Sequence, residues 1–101
     1  MTRHALQCGL IVGFRHKGLK RLFELDDGSG VRPDLLSKIR TILNQLEESE
    51  TIEDMRMTSF RLHPLKGDRK GFWSVTVRAN WRIVFRFENG NARDVDLVDY
   101  R

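Results

Sequence analysis

The stretch from Phe60 to Phe87, FRLHPLKGDRKGFWSVTVRANWRIVFRF, constrains the chain more than any other. Its side chains alternate: Trp73, Val75 and Val77 against Ser74, Thr76 and Arg78, then Trp81, Ile83, Phe85 and Phe87 against Arg82, Val84 and Arg86. A period of two predicts strands with one apolar face and one polar, here cationic, face. Ala79-Asn80 supplies the tight turn between them. Charge singles out the same stretch. From Arg56 to Arg86 there are eight Lys or Arg against one acid, Asp68, a local +7 in a chain whose formal net charge is +4, so the remainder carries −3. A basic excess confined to one sheet points to a polyanionic partner, whereas a diffuse one serves only solubility.

At 101 residues the chain has the size of one domain with a single modest core. Its 40% hydrophobic and 32% charged residues fit a folded globular protein. Cys8 stands alone and cannot form an internal disulfide, and the apolar run Leu10 to Val12 is too short for a membrane span or a signal peptide. A cytoplasmic protein with no membrane contact is expected.

Residues 1 to 9 show no periodicity and read as a loose N-terminal extension, with a single domain over residues 10 to 101. Leu10 to Arg15 is a short apolar run suited to a first strand, although Gly13 interrupts it. Leu19, Leu22 and Phe23 then recur at helical spacing until Asp26-Asp27-Gly28-Ser29-Gly30 breaks the pattern. Pro33 suits the first turn of a second helix, which Leu35, Leu36, Ile39, Ile42, Leu43 and Leu46 mark with one apolar stripe. The acidic run Glu47-Glu48-Ser49-Glu50 after it suits solvent. A helical turn is predicted at Thr51 to Asp54, a strand over Ser59 to Leu65, and a last strand over Arg93 to Tyr100 after the hairpin signal Asn89-Gly90. The order predicts an α+β domain: an N-terminal strand and two helices packed on one face of a mainly antiparallel sheet. The other face, carrying Arg78, Arg82 and Arg86, stays open to phosphates.

Several residues on that face can do chemistry. His63 sits at a strand end beside the basic turn, and an imidazole takes or gives a proton near neutral pH; a plain surface role is the alternative. Arg82 and Arg86 share a strand face, suited to two oxygens of a phosphodiester or simply to solvent. Lys66, Arg69 and Lys70 cluster in a turn. Trp73 and Trp81 fall on the apolar alternation and are expected in the core. Tyr100, after the last strand, can stack on a base or bond a phosphate, or cap the sheet edge. His4, His16, His63, Cys8 and the acids show no metal-ligand spacing, so no metal or cofactor is expected.

The combination is more specific than its parts. HPLKGD, WSVTVRANWRI, the upstream FRHKGLKRLFE and the terminal VDYR resemble the HigB toxins of bacterial toxin–antitoxin pairs, in the RelE/ParE-like superfamily, from about Leu10 to Arg101. The resemblance implies a ribosome-dependent endoribonuclease that cuts messenger RNA, and a HigA-type helix-turn-helix antitoxin as partner. It implies an active site of His63, Lys66, Asn80, Arg82, Asp99 and Tyr100, with Arg101 where relatives often end in His. RNA cleavage by its own 2′-hydroxyl needs a base, an acid and cations for the phosphate. His63 can fill a proton-transfer role, Arg82 and Lys66 supply charge, Asp99 can orient a neighbour, and Arg101, always protonated, binds phosphate but is a poor acid. The RNA contacts expected beyond the catalytic set are Lys66, Arg69, Lys70, Arg78, Asn80 and Arg86. Relatives commonly start with Met at the position of Leu10. A gyrase poison of the ParE type, a non-catalytic RNA-binding module and a degenerate antitoxin-binding homologue are the competing readings.

Overall fold

The computed structural model describes residues 11–99. The extension expected at residues 1 to 9 lies outside them, as do Leu10, Tyr100 and Arg101. Helix α1 spans Lys17–Leu25 and α2 spans Pro33–Glu48. Strands β1 (His63–Pro64), β2 (Phe72–Arg78), β3 (Trp81–Glu88) and β4 (Asn91–Asp99) form one antiparallel sheet in the order β1-β2-β3-β4.

Each element follows from its residues. His16 caps α1, its Nδ1 accepting from the Leu19 N–H at 3.2 Å, and α1 buries Gly18, Leu19 and Leu22 on one side. Pro33 opens α2 where its missing N–H costs nothing, with Asp34 in the first turn beside the positive end of the helix. The α2 stripe Leu35, Ile39, Ile42, Leu43 and Leu46 meets Val75, Val77, Ile83 and Phe85 of the sheet in a single core. Trp73 and Trp81 pack half-buried against that core, as the alternation requires. Asn89 and Gly90 take left-handed φ of 54° and 78° and make a two-residue turn that pairs Glu88 with Asn91. The predicted turn after Thr51 is a 3-10 helix over Ile52–Met55, and the Asp54 carboxylate accepts from the N–H groups of Glu50 and Thr51.

Three expectations need correction. The first strand is no continuous ladder: Ile11 and Phe14 form isolated parallel bridges to Ala92 and Val95 on the outer edge of β4. Asp94, at φ 54°, bulges β4 between those two contacts and breaks the regular pairing. The strand expected over Ser59 to Leu65 shrinks to His63–Pro64, because Thr58–Phe60 forms a 3-10 turn that buries Phe60 and Arg61 then turns left-handed. Pro64 is tolerated because β1 is an edge strand. Finally, Glu47 does not face solvent. It is 6% exposed and its Oε1 accepts from the Ile11 N–H at 3.2 Å, tying the N-terminal segment to the end of α2.

Candidate active site

The helices cover only one face of the sheet. On the other, His63 pairs with Ser74 across β1 and β2, and Thr76 pairs with Arg82 across β2 and β3. Paired residues present side chains on the same side about 4.5 to 5.5 Å apart at Cβ. The result is a hollow of about 400 Å3 lined by Arg61, His63, Leu65, Ser74, Thr76 and Arg82. Arg82 is held in place, its Nη1 donating to the Ala79 carbonyl at 2.7 Å.

The basic turn stands beside this hollow. The Leu65 N–H donates to the Phe72 carbonyl at 2.9 Å and closes the loop, while Gly67 and Gly71, at φ 69° and 95°, bend it. Lys66, Arg69 and Lys70 are exposed on the loop, and Asn80 is exposed next to the carbonyl that Arg82 grips.

Other expected contacts do not converge here. Arg78 is a correction: the register shifts between Thr76 and Arg78, and this bulge pairs Arg78 with Trp81 on the helix-covered side. There its guanidinium meets Asp34 of α2 at 3.3 Å, while Arg32, itself paired with Asp34, lies over the Trp81 ring. Arg86 stays on the helix-free face but pairs with Glu88 at 3.1 Å and lies over Phe72. It stands four positions along the strand from Arg82, about 14 Å at roughly 3.4 Å per residue, too far to share one phosphodiester. Between them Val84 is 0% exposed and its partner Ser74 4%, so the face is no bare cationic strip. Asp99 pairs with Trp81, one position beyond the Arg82–Val98 pair, on the parity of the opposite face. Tyr100 and Arg101, which follow it, lie outside the described residues.

Arg61, Ser74 and Thr76 were not singled out from the sequence as site residues. The signal for the hydroxyls is their place on the polar side of the β2 alternation; Arg61 carries no such signal, because a left-handed turn stands where the spacing predicts a strand. The fold shifts the ionisation of Asp27, Glu53 and Arg56. The Ser29 backbone N–H and then its side chain hold Asp27 below the usual carboxylate range. Arg56, hydrogen-bonded to Glu53, lowers that carboxyl and is itself raised. Among the described residues no three His, Cys, Asp or Glu side chains converge as metal ligands, and no helix is long and apolar enough to cross a membrane.

The arrangement, a four-stranded antiparallel sheet with helices on one face, is that of a class of small α+β domains. It is similar to the YoeB dimer from Staphylococcus aureus (TM-score 0.59, 14% identity, 92% of this chain and 98% of that one). It is also similar to YafQ from E. coli strain BL21(DE3) (TM-score 0.54, 15% identity, 89% and 92%). At such identities these likenesses speak for the fold alone. Within that class the chain belongs to the HigB-like toxin family, the RelE-like toxins of the type II toxin–antitoxin system HigB, whose model matches residues 12–101. The Endoribonuclease HigB of Proteus vulgaris is 46% identical over 91 residues, 90% of this chain and 99% of that protein. Membership brings with it an antitoxin partner.

Proposed function

We propose that this toxin is an endoribonuclease that cuts messenger RNA on the ribosome, in the cytoplasm, and that a HigA-type helix-turn-helix antitoxin restrains it. The observation that carries the reading is the hollow that joins His63 of β1 to Arg82 of β3 across Ser74 and Thr76. In the reaction the substrate's 2′-oxygen bonds to phosphorus while the bond to the 5′-oxygen breaks. One proton leaves the 2′-hydroxyl and another reaches the 5′-oxygen, giving a 2′,3′-cyclic phosphate and a 5′-hydroxyl. His63 carries one of these transfers, and Arg82 places positive charge where negative charge grows on the phosphate. Lys66, Arg69, Lys70 and Asn80 flank the strand on the exposed loops. Asp99 orients a neighbour and does not itself touch the phosphate, in keeping with its register; Tyr100 stacks on a base and Arg101 binds a phosphate. Much of the acceleration then comes from positioning, with the ribosome ordering the message.

Inducible expression of the chain without its antitoxin, with transcript ends mapped, tests this. New 5′-hydroxyl ends inside translated coding regions, disappearing when translation initiation is blocked, are the expected result. Growth arrest with intact messages and trapped DNA breaks would move the gyrase reading ahead.

A further inference from the structure

Five non-glycine residues adopt positive φ among those described: Asp26, Arg61, Ala79, Asn89 and Asp94. Asp and Asn visit this region readily because their short side chains bond locally, so Arg61 and Ala79 are the two that do not fit their backbone. Both border the hollow. Arg61 lines it directly, and Ala79 offers the carbonyl that holds Arg82. Arg61 takes φ 52° and ψ 54° as the residue ending the 3-10 turn Thr58–Phe60, its N–H bonded to the Met57 carbonyl. At such a position glycine is the unstrained choice, and a long side chain is retained against a backbone cost of about 1 kcal/mol or more.

The charges around Arg61 say what that side chain is for. Arg15, Arg32, Arg40, Arg56, Arg78, Arg86 and Arg93 all meet a carboxylate. Arg61 makes no ion pair among the described residues, and it is exposed. Arg61, just before β1, and Arg82, fixed on β3, thus line the hollow on either side of Ser74 and Thr76 of β2. Two guanidinium forks with two hydroxyls between them suit a phosphodiester, whose non-bridging oxygens accept charge-assisted hydrogen bonds.

We propose that Arg61 is a substrate-binding residue: it holds the RNA phosphodiester together with Arg82, with the Ser74 and Thr76 hydroxyls between them. The inference rests on the ribonuclease reading above and adds a site residue that the sequence motifs did not mark. It explains why the left-handed link before His63 carries an arginine.

Arg61→Gly separates binding from folding, because glycine removes the guanidinium and relieves the backbone at once. Cleavage of a message on programmed ribosomes is followed for wild type, Arg61→Gly, Arg61→Lys and His63→Ala over a series of salt concentrations, beside thermal melts. For Arg61→Gly the expected result is a kcat/KM lower by roughly tenfold to a hundredfold, the loss of one charge-assisted phosphate bond. The melting temperature should be equal to or above wild type. The dependence of log kcat/KM on log salt should flatten by about 0.7 to 1, the share of one phosphate contact. Arg61→Lys should recover part of the rate and the full salt slope. Wild-type cleavage and slope in Arg61→Gly, with His63→Ala inactive, would overturn this inference and leave the ribonuclease reading standing. A loss of rate that merely follows a lowered melting temperature would also overturn it. No cleavage by wild type, or full cleavage by His63→Ala, would remove the reading beneath it.

Discussion

Adding one methyl group at Gly18 should damage the fold more than its size suggests. Gly18 is buried in the first turn of α1, where its backbone meets that of Gly30 in the 3-10 turn Gly28–Gly30. A Cβ built there lies 2.8 Å from the Gly30 carbonyl carbon, nearer still to its oxygen, and 2.9 Å from Cε1 of His16. Comfortable carbon contacts are about 3.5 to 4.0 Å, so the helix and the turn must part by up to about 1 Å, and two backbones cannot swing aside as a side chain can. Overpacking of this kind costs typically about 1 to 3 kcal/mol. The His16 ring also caps α1, and displacing it adds about 1 kcal/mol, while the better helix propensity of alanine returns at most about 1 kcal/mol. The net loss is about 1 to 3 kcal/mol, and at about 4 to 8 °C per kcal/mol for a domain of this size the melting temperature should fall by at least about 4 °C. Gly13→Ala is the control, since the nearest atom to its Cβ is the Asp94 nitrogen at 3.9 Å. There the stiffer unfolded chain should leave stability unchanged or raise it by up to about 1 kcal/mol. Melts followed by circular dichroism decide the matter. A Gly18→Ala chain as stable as wild type, or a Gly13→Ala chain that is the weaker of the two, would refute the packing argument.

Arg78→Gln should leave messenger RNA cleavage within about twofold of wild type and cost no more than about 1 kcal/mol, the worth of an exposed ion pair; a tenfold fall in cleavage would show that Arg78 touches RNA after all. Glu47→Ala leaves the Ile11 N–H without its acceptor and should cost about 1 to 3 kcal/mol, with faster hydrogen exchange at Ile11 as the direct sign. Unchanged exchange there would mean that the bond contributes nothing. A chain starting at Leu10, recoded as Met, should melt and cleave as the full chain does, because it keeps the anchors at the Ile11 and Val12 N–H groups. A clear fall in its melting temperature would show that residues 1 to 9 pack.

Periodicity exposed the elements whose neighbours in sequence are also their neighbours in space. The α2 stripe, the Pro33 start, the Asn89-Gly90 hairpin and the core positions of β2 and β3 all follow from spacing that local physics enforces. What stayed hidden depends on one irregular residue or on a distant partner. Strict alternation places Arg78 with Arg82, but the β-bulge after Thr76 transfers it to Asp34, 44 residues away in sequence. Glu47 reads as solvent-facing within its own acidic run, and its bond to the Ile11 N–H comes from a segment 36 residues distant. The strand before His63 failed because burial of Phe60 outweighed extended pairing and forced Arg61 left-handed. At the site, His63 and Arg82 were legible as chemistry. Their meeting across Ser74 and Thr76 needed the register.

The most direct test compares purified wild type and His63→Ala on a defined message bound to programmed ribosomes, with antitoxin binding as the control for folding. His63 is exposed on an edge strand, so its truncation opens no cavity in the core. Removing a proton-transfer group lowers rates by typically about 10² to 10⁴. The account predicts a loss of that order in single-turnover cleavage, with antitoxin affinity and melting temperature unchanged. His63→Ala cleaving at the wild-type rate would contradict it.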